Sequence, residues 1–367
     1  EVIEINPLKQ LKDNNSSYDP LKNFSSVSIL DRKKMENFYN KKEILNKNIS
    51  VCITGAGGSI GSELCRQVLS MNPLKLILID FCEYNIYKIF EELKELNNNE
   101  TLIIAKLLNA ENQFKLEEIF NKNKIDIVYH AAAYKHVPLV EINKTEGLRN
   151  NLSSTRSVCM AAIKSEISKV VLISSDKAVR PTNIMGGSKL LSELIIKIFA
   201  HNKKNTTKFA AVRFGNVIDS SGSVIPIFRE QIKNGGPVTV THPDMERFFM
   251  TISEAVQLVL QSSVLSVGGE TFLLNMGQPV KIIDIARKMI FASGLKIKDN
   301  KNKSGDIEIK IIGIKEGEKL KEELLINGRI VNTVHPLINK AVEEIKINPQ
   351  LISKINKVID LAKSNKK

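Results

Sequence analysis

Long apolar runs, paired cysteines and aromatic residues are scarce or missing in this sequence, and each shortage argues against a class of function. The chain of 367 residues has no apolar run near the ~18 residues that a membrane-spanning helix needs. Aromatic residues make up only 5% of the chain, so stacking platforms for nucleic-acid bases are scarce. The four cysteines form no CxxC pair, and no His/Cys cluster has zinc-site spacing. We therefore expect reduced, mostly buried thiols, a cytoplasmic compartment and no metal site.

The sequence also lacks a signal peptide and an initial methionine. It begins at Glu1, which leads us to expect a fragment of a longer protein. The formal charge is +13, but the lysines are scattered, and no basic run is interleaved with aromatic residues. This distribution favours a solvated, lysine-rich surface, and we expect no nucleic-acid partner.

Short apolar runs alternate with amphipathic stretches from residue 48 to about residue 220. Buried strands are predicted at "ISVCIT", "LKLILID", "TLIIAKLL", "IDIVYHAAA", "KVVLISSD" and "FAAVRFGNV". The stretch "IYKIFEELKEL" predicts an amphipathic helix whose apolar face consists of Ile86, Ile89, Phe90, Leu93 and Leu96. Apolar strands that alternate with helices are typical of a parallel sheet covered on both faces. The predicted fold class is α/β, with a Rossmann-like doubly wound parallel sheet.

After about residue 220, apolar strands and amphipathic helices no longer alternate as regularly. "GGPVTVTHPDMERFF" and "GETFLLNMG" predict shorter strands, whereas "TISEAVQLVLQSSV", "IIDIARKMIFAS" and "EGEKLKEELL" predict helices. We therefore divide the chain into a polar N-terminal lead (1–47), a Rossmann domain (48–220), a smaller C-terminal α/β lobe (221–345) and a C-terminal helix or tail (346–367).

A glycine-rich turn stands between the first predicted strand and the next helix. "TGAGGSIGSE" places Gly55, Gly58 and Gly61 at G-x-x-G-x-x-G spacing. Glycines at such positions let the backbone turn tightly, approach a pyrophosphate and pack the helix on the sheet. The helix that begins near Ser59 and Ile60 then presents free N–H groups to the anion. This pattern predicts a dinucleotide site.

Asp80 ends the next predicted strand and supports that prediction. A carboxylate there accepts hydrogen bonds from the adenosine ribose hydroxyls and repels a 2′-phosphate. Because no arginine follows in "FCEYN", we expect the cofactor to be NAD rather than NADP.

The stretch "LISSDKAVRPTNIMGGSK" begins at another predicted strand end, where doubly wound sheets bind their ligands. Ser175, Asp176 and Lys177 would therefore meet a substrate there. Met185 and Lys189 are four residues apart and share a helix face, so Lys189 can reach the nicotinamide ribose. Many nicotinamide enzymes carry Tyr-x-x-x-Lys at this spacing, but a thioether cannot accept a proton. Either the chain is not a catalyst, or another group does the tyrosine's work.

Six motifs together point to a known family. They are "TGAGGSIGSEL", "HAAAYKHVPLVE", "SSDKAVRPTNIMGGSK", "RFGNVIDSSGSVIPIF", "THPDMERFFMTISEA" and "GEKLKEELL". The combination resembles the nucleotide-sugar 4,6-dehydratases of the extended short-chain dehydrogenase/reductase family. The most similar branch acts on UDP-N-acetylglucosamine in polysaccharide biosynthesis and protein glycosylation.

The resemblance implies a lyase that removes water from UDP-N-acetylglucosamine and yields a UDP-4-keto-6-deoxy-N-acetylhexosamine. NAD would oxidise C-4 and later reduce C-6, so the net reaction is redox-neutral. A short, soluble group of the family has tyrosine at the position of Met185 and inverts C-5. A long group with N-terminal membrane helices has methionine there and retains the C-5 configuration. Met185 therefore indicates the long group and retention.

The elimination needs an acid and a base on neighbouring atoms. The resemblance implies that Asp176 is the acid toward the C-6 oxygen and that Lys177, once neutral, is the base at C-5. The C-4 hydroxyl proton must go elsewhere than Met185, and we expect a relay through Ser175 or a bound water to Asp176.

Further positions are assigned by resemblance. Cofactor contacts are expected at Asn109, Ala131 and Ala132, and Asn151 is expected to fix the backbone near the nicotinamide. Substrate contacts are expected at Lys135 and Asn216 after strand ends of the Rossmann domain, and at Ser223, Val224, Arg247 and Glu322 in the lobe at 221–345. Arg247 would hold the diphosphate, because its fork of donors suits phosphate. His136 is as readily explained by packing, and Asp219 stands where the family often has glycine.

The family also suggests partners and a location. UDP-N-acetylglucosamine is the expected substrate, and a homo-oligomer, at least a dimer, is expected through helices at 138–164 and 187–201. The full-length protein is expected at the cytoplasmic face of the inner membrane, anchored through a segment missing from this chain, with the fragment itself soluble.

Three other functions stay open. A C-5-inverting dehydratase would share the same acid–base pair. A UDP-sugar 4-epimerase normally keeps the tyrosine and needs no pair for elimination, and a non-catalytic nucleotide-binding regulator would tolerate the loss of the tyrosine.

Overall fold

The computed structural model of the protein describes residues 41–45, 48–98, 100–325, 328–343 and 347–364. The predicted N-terminal lead therefore lies outside the described residues, apart from residues 41–45. The chain forms two compact units. The sheet unit takes the described residues within Met35–Gly215, Ile252–Met276 and Glu323–Lys367, and the small unit takes those within Asn216–Thr251 and Gly277–Glu322.

The strands and helices are numbered here in chain order. The strands are β1 (Ser50–Thr54), β2 (Lys75–Asp80), β3 (Leu102–Leu107), β4 (Ile127–His130), β5 (Lys169–Ile173), β6 (Lys208–Arg213), β7 (Asn216–Val217), β8 (Val238–Val240), β9 (Glu246–Arg247), β10 (Phe249–Met250), β11 (Thr271–Leu274), β12 (Val280–Lys281), β13 (Ile297–Lys298), β14 (Ile307–Ile311), β15 (Gly328–Asn332) and β16 (Ile338–Glu343). The helices are α1 (Lys41–Ile44), α2 (Ser59–Leu69), α3 (Glu83–Leu96), α4 (Gln113–Asn123), α5 (Val137–Ile142), α6 (Lys144–Lys164), α7 (Ile184–His201), α8 (Val224–Lys233), α9 (Ile252–Leu265), α10 (Ile282–Ala292) and α11 (Pro349–Lys363).

The sheet unit is built on a nine-stranded sheet with the order β15-β16-β11-β6-β5-β4-β1-β2-β3. The strands from β3 to β11 pair in parallel, whereas β16 pairs antiparallel with both β11 and the edge strand β15. The order 3-2-1-4-5-6 is that of the doubly wound Rossmann sheet. The predicted fold class of this unit is confirmed. Strand order reverses between β1 and β4, and the carboxyl ends of these strands form the edge where such sheets bind ligands.

Apolar strand residues explain why the sheet lies inside. All residues of β1 and β4 are buried, as an apolar strand between two helical layers must be. Helix α3 buries Ile86, Ile89 and Leu93, as its apolar spacing predicts, whereas Leu96 at its end is exposed. The three buried cysteines and the half-buried Cys82 all carry free thiols.

The last third of the chain is divided differently from the prediction for residues 221–345. Residues of that range return to the sheet unit, because β11 and β16 extend the sheet beyond β6. The small unit begins at Asn216, close to the predicted boundary after residue 220. It contains the three-stranded sheet β13-β14-β8, the short pairs β7–β10 and β9–β12, and a core between α8 and α10. The order of predicted strands and helices after residue 220 is irregular, and the sequence therefore did not indicate which short strand joins which sheet.

The helix predicted at "EGEKLKEELL" does not form. The chain there is irregular, and Gly317 has a positive φ of 76°. The carbonyl of Leu320 accepts hydrogen bonds from the Glu246 amide at 3.1 Å and from Arg247 Nη1 at 3.2 Å. A carbonyl bonded in this way is not available to the i+4 amide of a helix, so tertiary bonds override the local helix propensity.

The C-terminal helix α11 packs against α6 and α7. Its residues Ile355 and Ile359 belong to the same core cluster as Leu194 and Ile195 of α7. Subunit pairing was expected through helices at 138–164 and 187–201, which correspond largely to α6 and α7. Part of the surface of these two helices is therefore covered by α11 of the same chain. Among the described residues, no helix is both long and apolar enough to cross a membrane.

The docking of α11 is testable with two substitutions on one helix. Ile359 is 1% exposed and Leu361 is 42% exposed. We expect Ile359→Ala to lower the free energy of unfolding by about 2–4 kcal/mol, because it leaves a cavity, and Leu361→Ala to lower it by less than about 1 kcal/mol. Urea unfolding followed by circular dichroism measures both values. Equal, small losses would show that α11 is not part of the core.

Candidate active site

The glycine turn after β1 is shaped by close backbone approach. Gly55 has a φ of 68°, and a Cβ there would lie 2.7 Å from the amide nitrogen of Ala132. A Cβ on Gly61 would lie 1.9 Å from the Gly55 carbonyl oxygen, so only glycine lets α2 pack this closely on the turn. The loops after β1 and β4, which carry Gly55 and the pair Ala131 and Ala132, are thus in direct contact.

Asp80 ties the turn to the end of β2. Its side chain is 7% exposed, and its Oδ2 accepts a hydrogen bond from the Gly57 amide at 2.9 Å. Its Oδ1 accepts a second bond from the Cys82 amide at 2.9 Å. The carboxylate is therefore held in one orientation beside the turn, as a contact for a ribose hydroxyl requires.

The turn fits a dinucleotide pyrophosphate. Helix α2 is capped by Gly58, and no side chain supplies a capping hydrogen bond to its first turn, which includes Ser59 and Ile60. The free N–H groups of a helix N-terminus bind anions, and the glycines leave room for backbone approach. Asn109 follows β3 on the same edge, where it is exposed and accepts a hydrogen bond from the Glu111 amide at 2.9 Å. The predicted cofactor residues therefore meet at one edge.

A buried carboxylate marks the end of β5. Asp176 is 0% exposed and lies in a short 3-10 helix, Asp176–Ala178. Its Oδ1 accepts hydrogen bonds from Ser175 Oγ at 2.8 Å and from Lys177 Nζ at 3.1 Å. Among the described residues, its Oδ2 is buried without a hydrogen-bond partner. Such an atom is costly unless a ligand or water satisfies it, so it points to a binding function.

Helix α7 is fixed against that 3-10 helix. Asn183 caps α7 by accepting the Gly186 amide at 2.7 Å, and Glu141 of α5 accepts the Ile184 amide at 2.5 Å. A Cβ on Gly186 would lie 2.4 Å from the Lys177 carbonyl oxygen. The absence of a side chain at this position lets the helix approach the Asp176–Lys177 pair closely.

Met185 and Lys189 lie on α7 as predicted, and both are buried, at 2% and 8% exposure. Lys189 Nζ donates to the Ile173 carbonyl at 3.0 Å. Burial lowers the pKa of Lys189 to about 8, while the charge of Glu193 acts in the opposite direction. The helix spacing that the sequence predicted is confirmed, and Met185 itself offers no proton acceptor.

Asn151 of α6 holds the loop after β4. Its Oδ1 accepts the Tyr134 amide at 2.8 Å, and its Nδ2 donates to the Tyr134 carbonyl at 3.1 Å and to Ser188 Oγ at 2.8 Å. It therefore fixes backbone, as expected for this position. Lys135 and His136 follow Tyr134, and both are exposed, so His136 is not a packed core histidine.

In the small unit, Arg247 and Glu322 face each other. The Arg247 side chain is 6% exposed, and its Nη1 donates to the carbonyls of Glu246 and Leu320 at 2.7 and 3.2 Å. Its other nitrogens lie 3.7 Å from a Glu318 oxygen and 3.9 Å from a Glu322 oxygen. This guanidinium is oriented by protein acceptors before any ligand binds.

The other small-unit positions lie at element ends. The amide of Asn216 donates to the Phe248 carbonyl at 2.9 Å in the β7–β10 pair. Ser223 precedes Val224 at the start of α8, and its Oγ is buried without a hydrogen-bond partner among the described residues. Asp219 has a φ of 59°, which explains why glycine suits this position.

Sequence reasoning missed a buried charge cluster of the sheet unit. Arg213 at the end of β6 is 0% exposed and pairs with Glu193 of α7 and Glu343 of β16. One local signal existed, since a lone arginine in the apolar run "FAAVRF" needs a buried counter-charge. The partners themselves carried no signal, because Glu343 is 130 residues away.

The parallel sheet and the glycine turn at its carboxyl edge define a Rossmann-type α/β protein. Comparison with known sequences then gives the family. The chain belongs to the polysaccharide biosynthesis protein family, which it matches over residues 51–343.

Curated relatives share much of this chain. The capsular polysaccharide biosynthesis protein CapD of Staphylococcus aureus is 49% identical over 80% of this chain and 47% of CapD. The probable polysaccharide biosynthesis protein EpsC of Bacillus subtilis is 43% identical over 84% of this chain and 50% of EpsC. A UDP-glucose 4-epimerase of Rickettsia bellii is 34% identical over 75% of this chain and 77% of that protein. The chain thus spans about half the length of CapD and EpsC.

Solved structures agree with the fold. The X-ray structure of Pen from Bacillus thuringiensis superposes with a TM-score of 0.72 at 33% identity and covers 83% of this chain and 90% of Pen. The dTDP-glucose 4,6-dehydratase DesIV of Streptomyces venezuelae, solved with NAD, gives a TM-score of 0.65 at 16% identity, with 75% of this chain and 88% of DesIV covered. At that low identity the likeness to DesIV concerns the fold alone.

Two neighbouring glycines of α7 should respond with opposite signs. A Cβ on Gly186 meets the Lys177 carbonyl, whereas a Cβ on Gly187 has no atom within 4 Å. We expect Gly186→Ala to lower the free energy of unfolding by about 1–3 kcal/mol through overpacking. Gly187→Ala should raise it by about 0.5–1 kcal/mol through helix propensity. Denaturant titration measures both, and effects of the same sign would contradict the close approach of α7.

The buried Lys189 should make stability depend on pH. Its pKa in the folded state, about 8, is below the ordinary value of 10.5, so the unfolded chain binds more protons between these pH values and stability rises across them. We expect Lys189→Met to raise stability at pH 7 by up to about 3 kcal/mol, and by less at pH 10.

Thermal melts at both pH values measure this difference. Lys164→Met is the control, because Lys164 is 57% exposed, and its effect should be small and equal at the two pH values. A Lys189→Met effect that does not change with pH would contradict a depressed pKa at this site.

Proposed function

We propose that this protein is an NAD-dependent nucleotide-sugar 4,6-dehydratase acting on UDP-N-acetylglucosamine with retention at C-5. The product would be a UDP-4-keto-6-deoxy-N-acetylhexosamine used in glycan biosynthesis. Membership of the polysaccharide biosynthesis family and the relatives CapD and EpsC support such a pathway. Because the chain spans only about half of those relatives, the activity of the whole protein is part of the proposal.

One observation carries the proposal, namely the pair that the buried Asp176 and the half-buried Lys177 form at the end of β5. Asp176 Oδ1 lies 3.1 Å from Lys177 Nζ and 2.8 Å from Ser175 Oγ, and its Oδ2 is satisfied by no described residue. Elimination of water across two carbon atoms needs an acid and a base side by side. This pair supplies both in adjacent residues at the ligand-binding edge.

The cofactor would be held by the sheet unit. The glycine turn with Gly55, Gly58 and Gly61 would take the pyrophosphate, Asp80 the adenosine ribose, and Lys189 the nicotinamide ribose. NAD, when bound, would supply the oxidation at C-4 and the reduction at C-6. Asn109, Ala131 and Ala132 would contribute further contacts, as the resemblance implies, and repulsion by Asp80 favours NAD over its 2′-phosphorylated form.

The proton movements balance without a tyrosine. Asp176 accepts the C-4 hydroxyl proton through Ser175 and delivers it to the C-6 oxygen, which leaves as water. Lys177 in its amine form takes the C-5 proton, exchanges its N–H protons with solvent and returns one proton to C-5, so both groups recover their initial state. The Ser175–Asp176 hydrogen bond at 2.8 Å supports this relay, and Met185 takes no part in proton transfer because a thioether cannot accept a proton.

The substrate contacts that the resemblance implies are proposed here for each unit by itself. In the small unit, Asn216 and Arg247 would contact the diphosphate, and Ser223 and Val224 the uridine. The buried, unpartnered Oγ of Ser223 supports a polar contact there. Glu322 would act through Arg247, which its carboxylate faces at 3.9 Å. In the sheet unit, the exposed Lys135 is the proposed contact.

A UDP-sugar 4-epimerase is the second candidate. The 34% identity to an epimerase of Rickettsia bellii over 75% of this chain favours it. The Asp176–Lys177 pair and the methionine at position 185 favour elimination instead, because epimerisation needs no acid–base pair across C-5 and C-6. An inverting dehydratase would differ only in the face to which the C-5 proton returns.

The test is incubation with UDP-N-acetylglucosamine in deuterated water, followed by mass and proton spectra. We expect loss of one water, deuterium at C-5 and retained configuration. Lys177→Ala and Asp176→Asn should each lower the rate by about 100-fold to 10,000-fold, the usual contribution of a general acid or base. Lys164→Ala on the exposed surface of α6 is the control and should keep the wild-type rate.

The alternatives give different outcomes. An unchanged mass with a new epimer would establish the epimerase, and no reaction would favour a nucleotide-binding regulator. Undiminished dehydration by Lys177→Ala would remove the proposed base.

A further inference from the structure

The proposed mechanism leaves one group of buried charges unused. Arg213 is 0% exposed, and the side chains of Glu193 and Glu343 are each 1% exposed. Charges buried this deeply are retained only when they are paired and hydrogen-bonded. We call these three residues the arginine cluster.

The arginine cluster joins three elements of the sheet unit. From the end of β6, Arg213 donates from Nε and Nη2 to Glu193 of α7, at 2.8 and 2.6 Å. It donates from Nη1 and Nη2 to Glu343 of β16, at 2.6 and 3.1 Å. A guanidinium can serve two carboxylates in this way because its donors form a planar fork, which an ammonium group lacks.

The cluster is connected to the catalytic stretch at several points. Glu193 Oε1 also accepts a hydrogen bond from Ser174 Oγ at 2.5 Å. The residues that flank Arg213 hold the same stretch through their carbonyls, since Val212 accepts the Ser174 amide at 2.8 Å and Phe214 accepts the Asp176 amide at 3.1 Å. The end of β6 therefore fixes the backbone on both sides of Ser175.

We propose that Arg213, through Glu193 and Glu343, is a positioning residue that fixes the Ser174–Asp176 backbone for the acid–base step. The expected effect on kcat rests on the proposed function, whereas the expected effect on the backbone does not. The antiparallel strand β16 is then part of the active-site support, because it supplies Glu343. A 1 Å displacement of a catalytic group can cost about 100-fold in rate, so the support matters for activity beyond stability.

Arg213→Lys tests the proposal because it keeps the charge and removes the fork. We expect kcat to fall by about 10-fold to 100-fold, with the KM for UDP-N-acetylglucosamine within about twofold of wild type. Amide hydrogen exchange should be faster in the peptide that contains Ser174 and Asp176. Lys164→Met is the control, because Lys164 is 57% exposed and pairs with Glu117, which is not a member of the arginine cluster. It should keep the wild-type kcat and the wild-type exchange of that peptide.

A second variant covers the case in which Arg213→Lys does not fold. Ser174→Ala removes one hydrogen bond to Glu193 and leaves all three charges of the cluster paired. It should lower kcat by roughly threefold to tenfold and speed exchange in the same peptide, as expected for one lost hydrogen bond of about 1 kcal/mol.

Unchanged kcat and unchanged exchange in a folded Arg213→Lys protein, or in Ser174→Ala, would overturn the positioning role. Lower thermal stability with wild-type kcat and exchange would overturn it too, because the cluster would then be structural only. If the wild-type chain does not dehydrate the sugar, the proposed function fails, while the exchange result still decides whether the cluster holds the Ser174–Asp176 backbone.

Discussion

The buried carboxylate of Asp176 is the constraint on which the candidate site depends. A carboxylate with no exposed surface is stable only when donors surround it, and here Ser175 and Lys177 both donate to its Oδ1. Its backbone amide is held by the carbonyl of Phe214 at the end of β6. Adjacent strands, the start of α7 and the short 3-10 helix must therefore keep fixed relative positions. Its Oδ2 has no hydrogen-bond partner among the described residues and is therefore an atom that a ligand could satisfy.

In the proposed mechanism, Ser175 replaces the usual tyrosine. Met185 lies on α7, is buried and offers no proton acceptor. The hydroxyl of Ser175 already donates to Asp176, so it can pass a proton to that carboxylate. Close approach of α7, which Gly186 permits, keeps Lys189 and the pair at the same edge. The proposed acid, base and relay thus lie within one short stretch of chain.

The family and the fold are compatible with more than one reaction on a nucleotide sugar, and they do not distinguish a dehydratase from an epimerase. Polysaccharide biosynthesis proteins and a UDP-glucose 4-epimerase are both close in sequence, and a dehydratase shares the fold. Dehydratases and epimerases begin with the same oxidation at C-4 and differ in what happens at C-5 and C-6. The residues that decide between them are therefore those at the end of β5, where this chain carries a buried acid beside an amine.

The sequence by itself determined the parallel sheet, the glycine turn, Asp80 at the end of β2 and the shared helix face of Met185 and Lys189. These features follow from local periodicity and short motifs, which are written in consecutive residues. Tertiary structure alone decided that α11 covers α6 and α7, that residues near Leu320 are not helical, and that Arg213 meets Glu343. Those outcomes depend on hydrogen bonds and burial between residues far apart in the chain, and such pairs leave no periodic trace in a single sequence.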